Sequence, residues 1–230
     1  AGGVSSDTAV TFRVRAKDDK GNYSSGVTVS MTVLNIVYTT ATGGSISTVG
    51  DYKVHTFLSS GTFTVTQLGS LSGHDQLDFL VIAGGGSGGY SQGAGGGAGG
   101  LRNSYNNETS GGGGSSETAI TATTVAYDIE VGGGAPAGNS SSGSSQGALS
   151  HIEHSSITDI ISTGGGRGGN GGYLGSSYWS GGTGGSGGGG AYNSWNPGAN
   201  GTANQGYAGG QGWSGDNDNT GGGGGAGGAG

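Results

Sequence analysis

The chain of 230 residues has no cysteine, two prolines and one methionine. Without Cys there is no disulfide framework, no thiol catalysis, no iron–sulfur centre and no Cys-based zinc site. Two prolines and no sustained G-X-Y register exclude a collagen triple helix. Charged residues make up 9% of the chain, against the usual quarter or so. The formal net charge is −7, from 7 Lys and Arg against 14 Asp and Glu. So few cations leave no electrostatic footprint for nucleic acid or for an anionic membrane surface. No apolar run approaches the roughly 20 residues of a membrane-spanning helix. A sustained 3.6-residue apolar period is also missing. The nearest stretch, Leu149 to Ile161, is short and rich in Ser, Thr and Ile. The sequence opens Ala1-Gly2-Gly3, with neither Met nor a signal-peptide pattern, which reads as a processed chain or a piece of a longer one.

Glycine is what the sequence has in excess: 62 residues, where ordinary chains carry about 7%. Such a composition also belongs to flexible linkers. Three Trp, ten Tyr and several apolar strands set among the glycines argue against that. The strands read by period two. Val10–Ala16 and Val27–Val33 alternate apolar and polar residues around the turn-rich span 17–26, a β-hairpin. Asp51–Phe57 and Thr62–Thr66 flank Ser59-Ser60-Gly61 and read as a second hairpin. Leu77–Ala83 is nearly all apolar and reads as a strand buried on both faces. Thr118–Ala122 and Thr124–Val131 join the same sheet system.

The glycine tracts at 84–100, 111–114, 132–134, 164–172, 181–190 and 221–230 each follow a strand or a polar, aromatic stretch. A glycine run does not order by itself, because glycine loses the most backbone entropy on folding. Packed polyglycine II helices offer an ordered state. They share the threefold geometry of polyproline II, have no internal hydrogen bonds, and direct every N–H and C=O at a neighbouring helix. In such a bundle inward positions require glycine and outward positions vary. The connections fall at the bundle ends: Leu101–Glu108, Tyr173–Trp179, Ala191–Pro197 and Gln211–Asn219. The expected fold is mainly β, with hairpins and a small sheet supporting a polyglycine II bundle and little or no α-helix. Its organisation is a hairpin unit at 1–38, a linker at 39–50 and a β base plus glycine-rich domain at 51–230.

Asp51-Tyr-Lys-Val-His-Thr-Phe57, then Gly61-Thr-Phe-Thr-Val65, then Leu77-Asp-Phe-Leu-Val-Ile-Ala-Gly-Gly-Gly86 resembles the glycine-rich domain of tailed-phage tail fibre and adhesin proteins. Ala94–Arg102 and Tyr127–Ala135 resemble its next elements. The resemblance spans about 51–230 and implies a polyglycine II bundle at a fibre tip whose end loops touch a host receptor. Residues 8–33 resemble the last two strands of a fibronectin type III or immunoglobulin-like module. The function these resemblances imply is a virion-surface, extracellular protein that binds a glycan or outer-membrane protein on a host cell. Other fibre subunits are its further partners, with a homotrimer as one arrangement. The alternative is a component of a cellular extracellular filament or surface layer, assembled through the glycine-rich bundle. A disordered glycine-rich coat is the third reading.

Tyr173, Tyr178, Trp179, Tyr192, Trp195, Tyr207 and Trp213 are the candidate receptor-binding residues. Aromatic faces stack, and the Asn, Ser and Gln beside them hydrogen-bond. Packing of the same rings against the bundle sides is the plain structural reading. His151-Ile-Glu-His154 lacks the HExxH spacing and the ligand count of a zinc site. Asp216–Gly221 lacks the terminal acidic ligand of a calcium loop. Gly84–Gly89 follows a strand, but no helix follows it, so it is no nucleotide loop. No Ser/His/Asp order or carboxylate pair stands out for catalysis. A non-enzymatic protein is expected, with no cofactor and no metal.

Overall fold

The computed structural model describes residues 8–33, 35–141, 143–172, 178–192, 195–213 and 219–230. It is mainly β, with 30% of residues in strands and 3% in helix. Strand β1 (Thr8–Val14) pairs antiparallel with β2 (Val27–Val33), as the period-two pattern predicts. Their register sets Val10, Phe12 and Val14 opposite Met31, Val29 and Val27, which puts these six apolar residues on one face. Phe12, Val14, Val27, Val29 and Met31 stay 50–67% exposed.

The next strands are β3 (Thr40–Thr42), β4 (Ser45–Val49), β5 (Tyr52–Thr56) and β6 (Gly61–Gln67). They correct two expectations. The span 39–50 is not a linker, because it carries β3 and β4. The hairpin partner of β5 is β4 and not β6. The reason is Gly50, whose φ of 56° makes the tight turn with Asp51, so the reversal falls there and not at Ser59–Gly61. Gly43 and Gly44, at φ 109° and 63°, separate β3 from β4.

The rest of the base comprises β7 (Gln76–Leu77), β8 (Leu80–Ile82), β9 (Leu101–Asn103), β10 (Ile120–Thr121), β11 (Ala126–Glu130), β12 (Ser150–Glu153) and β13 (Ile160–Ser162). Five strands form one sheet in the order β13-β12-β11-β6-β3. The pairs β7–β10 and β8–β9 complete the base. The core is Val65, Phe79, Val81, Ile120, Ala122, Tyr127 and Ile160. Tyr127 is fully buried, and its hydroxyl accepts the Thr123 N–H at 3.0 Å. Leu149–Ile161 holds no helix: its Ser, Thr and Ile residues build the β12–β13 hairpin. Nor is Leu77–Ala83 one strand buried on both faces. Phe79, Val81 and Ala83 face the core, while Leu80 and Ile82, on the outer face of β8–β9, are 60% and 53% exposed.

Glycine runs grow directly out of these strands. Ala83–Gly100, Gly86–Gly97 and Gly89–Ala94 are bonded through N···O distances of 2.8–3.1 Å, continuing the β8–β9 register without a slip. Bonded pairs now recur every third residue, where an antiparallel ladder repeats every second. That period marks the threefold polyglycine II helix. The run 163–171 shows it most fully. Gly165 and Gly168 donate to Gly84 and Ser87, while Gly166 and Gly169 donate to Ser186 and Gly189. Carbonyls of Thr163, Gly166 and Gly169 accept from Gly100, Gly97 and Ala94. All seven of these bonds measure 2.8–2.9 Å. At roughly 3.1 Å per residue the run is about 28 Å long.

Side chains are excluded for a direct steric reason. A Cβ built on Gly166 would lie 1.9 Å from the Gly182 carbonyl oxygen, and one on Gly187 would lie 1.8 Å from that of Ala199. The hydrogens there face carbonyl oxygens, the arrangement of Cα–H···O contacts. Gly85 and Gly88, three apart, point outward and meet nothing closer than 3.7 and 3.6 Å. The tract 111–114 is no polyglycine II run: Gly112 and Gly113 take φ of 67° and 73° in a short 3-10 turn at the base.

The clash distances predict a split among glycine-to-alanine substitutions. Gly166→Ala destabilises by about 3 kcal/mol or more, the upper range for overpacking. Gly85→Ala changes stability by less than about 1 kcal/mol, and in the stabilising direction, by restricting the unfolded chain. Thermal denaturation of the two variants checks this.

The β1–β2 loop makes a separate prediction. The Asn22 side chain and the backbone N–H groups of Asn22, Lys20 and Gly21 hold the Asp18 carboxyl below the ordinary carboxylate range. Ionised Asp18 accepts these bonds, so the loop stays ordered above that range and loosens as pH falls through the lowered value. An NMR titration will show the Asp18 carboxyl and the Asn22 amide moving together at a midpoint below the ordinary carboxylate range.

Candidate functional site

Every run that leaves the base must turn back, and the turns gather in one layer at the far end of the bundle. Gly171 N–H donates to Tyr90 O, Asn170 N–H to Tyr178 O, Ala191 N–H to Trp179 O and Gly212 N–H to Asn196 O, at 2.7–3.1 Å. These bonds place residues 90, 171, 178–179, 191, 196 and 212 side by side. The opposite turns return to the base, where Thr202 N–H donates to Gly184 O and Leu101 N–H to Gln205 O.

A buried polar group fixes the far end. Asn170 is 0% exposed in a run built mostly of glycine. Its Oδ1 accepts the Tyr90 N–H at 2.8 Å, and its Nδ2 donates to Ser144 Oγ at 3.0 Å. Ser144 Oγ in turn donates to Gly168 O. Three chain segments are thereby locked together beneath the distal turns, with each buried polar atom of the group paired.

On this frame stand exposed aromatic rings. Trp195 and Trp213 are 56% and 51% exposed, and their rings lie 4.4 Å apart with a 39° tilt. Gly212 and Asn196 join their two loops directly, and Trp213 N–H donates to Asn219 O at 2.9 Å. Trp195 takes φ of 61°, an uncommon conformation for a bulky side chain. Tyr178, 42% exposed, covers the guanidinium of Arg167 at 5.7 Å. Trp179 is half-buried, and its Nε1–H meets no acceptor among the described residues.

Of the aromatic candidates, Tyr178, Trp179, Tyr192, Trp195 and Trp213 belong to this end. Tyr173 and Asp216 and Asp218 lie outside the described residues. Tyr207 is a correction. It sits within a run, donating to Gly225 O and accepting from Gly187 N–H, so its ring lies along the bundle near Gly113. Leu101–Glu108 is likewise not a distal loop, because β9 places it in the base. Tyr90 went unassigned in the sequence. Its signal was the Tyr-Ser-Gln break inside tract 84–100, where Ser91 and Gln92 take φ of 47° and 53° to reverse the chain.

Two other polar groups lie in the base. His151 stands on the sheet between Glu130 at 3.3 Å, Asp128 at 3.5 Å and Glu153 at 3.6 Å. Among the described residues no His, Cys, Asp and Glu group has the arrangement to hold a metal. Arg102 and Glu117 pair with each other beside an open polar depression, leaving neither charge for a ligand.

Comparison with protein-family models, with characterised proteins and with solved structures finds no match.

Two indoles this close couple their electronic transitions. An exciton couplet is expected in the far-UV circular dichroism spectrum, and Trp213→Phe or Trp195→Phe alone will abolish it. Trp179→Phe will leave it in place.

Proposed function

We propose that the chain is the receptor-binding part of a virion fibre of the tailed-phage type, which displays its distal loops to a host cell surface. The observation that carries this reading is the exposed aromatic layer, Tyr178, Trp195 and Trp213, held at the end of a backbone-bonded bundle. Large half-exposed rings on a rigid frame suit a binding surface, since binding then costs little ordering entropy. The polarity of the architecture supports it too. The five-stranded sheet and the pairs β7–β10 and β8–β9 form the base, and the longest runs lead away from it to the aromatics.

The filament-subunit reading has one observation in its favour, the apolar face of β1–β2 left exposed. The two readings separate in one experiment. The purified chain, added to bacteria of the host panel, is expected to bind cells and to block adsorption of the cognate phage. Joint substitution of Tyr178, Trp179, Trp195 and Trp213 by Ala is expected to reduce cell binding at least tenfold while the chain stays folded. Unchanged binding by that variant sinks the proposal, and spontaneous fibre growth without cell binding favours the filament.

A further inference from the structure

We infer that the Trp195–Trp213 pair is the platform for a neutral pyranose of a surface glycan. The inference rests on the reading of the distal end as the receptor-binding end, and it commits that end to a ligand chemistry.

The pair is not closed upon itself. At 4.4 Å between centroids and a 39° tilt, with over half of each residue exposed, the rings leave aromatic faces open to solvent. A pyranose presents a patch of C–H groups that lies on such a face, and hydroxyls around its rim. The backbone supplies a second sign. Residue 195 is held at φ 61°, where glycine or asparagine would sit without strain. A bulky ring kept in that conformation is the kind of local strain that gathers at ligand-binding positions.

The surroundings select a sugar over a protein. From Ser162 to Gly230 the sequence holds one aliphatic residue larger than alanine, Leu174, which lies outside the described residues. The described residues next to the pair in sequence or bonded to it are Asn196, Pro197, Gln211, Gly212 and Asn219. Protein–protein anchors combine aromatics with Arg and a packed apolar surround. Here the indoles supply the apolar character and neutral amides supply the hydrogen bonding. Charge selects a neutral sugar. Beyond Arg167 the chain has no Lys, Arg or His, and Arg167 itself is covered by Tyr178. A sialylated or phosphorylated residue would find no cation at the pair.

The test uses the full chain on an array of bacterial surface polysaccharides with defined neutral, sialylated and phosphorylated oligosaccharides. Retention on neutral glycans is expected, with quenching or a blue shift of tryptophan emission on titration. Trp213→Ala and Trp195→Asn are each expected to weaken binding at least tenfold, and Trp213→Phe to retain most of it. Trp195→Asn relieves the backbone strain, so its loss of binding is not a loss of fold. Retention on anionic glycans alone, retention unaffected in Trp213→Ala and Trp195→Asn, or no retention on any glycan overturns the inference. A parallel assay on cells treated with periodate or protease separates the two levels. Cell binding that survives periodate and is lost to protease overturns the glycan platform and leaves receptor binding standing. Array binding without any cell binding supports the platform and removes the proposed function.

Discussion

A polyglycine II run cannot satisfy its own backbone. Each N–H and C=O leaves the helix sideways, so its partner must come from another run at a distance of about 2.9 Å, the ordinary N–H···O length. The requirement is mutual. Run 163–171 is ordered because runs from 83–100 and 186–189 receive its donors and supply its acceptors. The same closeness forbids side chains, since neighbouring carbonyls occupy the space a Cβ would fill. Glycine's entropic cost on ordering is large. It is offset by saturating the backbone of several runs at once, which makes the bundle cooperative.

Glycine alone does not specify which residue meets which. A run without side chains can slide past its neighbour at small cost, as Gly-rich strands do. The β base removes that freedom. Its side chains fix the β8–β9 and β12–β13 registers, and the glycine bonds inherit them, as Gly86–Gly97 does from Ile82–Leu101 and Gly147–Gly165 from Ser150–Ser162. Asn170, bonded to Tyr90 and Ser144, pins the other end. Polar specificity enters where the strand ladder is farthest away.

Strands with alternating side chains, such as β1, β2 and β11, were readable from residues because every second position shares a face, covered in β11 and exposed in β1 and β2. The β4–β5 turn was not, because Ser59-Ser60-Gly61 offered an equally good reversal by residue type, while β6 pairs with β3 and β11 instead of β5. Glycine density pointed to the runs but misplaced some. Residues 205–212 include Gln, Tyr and Ala, and fall outside the glycine tracts read from the sequence. Their glycines 206, 209 and 212 fall every third residue, and a Cβ at each would come within 2.3 Å of another atom. Spacing of three, and not abundance, is the signal of an inward face. By the opposite error, 111–114 is all glycine and forms a turn. The aromatic end was legible as composition. The pairing of Trp195 with Trp213 was not, since it depends on two loops being joined by the Gly212–Asn196 bond.

That bond connects the bundle's economy to its display. Runs turned back at one end bring loops far apart in sequence within a few ångströms of each other. The loops need no aliphatic core of their own, because the backbone network beneath already positions them. They are therefore free to expose the rings that a globular protein would draw inward. Local strain at Trp195, of the order of 1–3 kcal/mol for such a conformation, is sustained by a network that cannot relax one residue without breaking bonds on neighbouring runs. The glycines thus make the frame stiff enough to hold large side chains where folding alone would not put them.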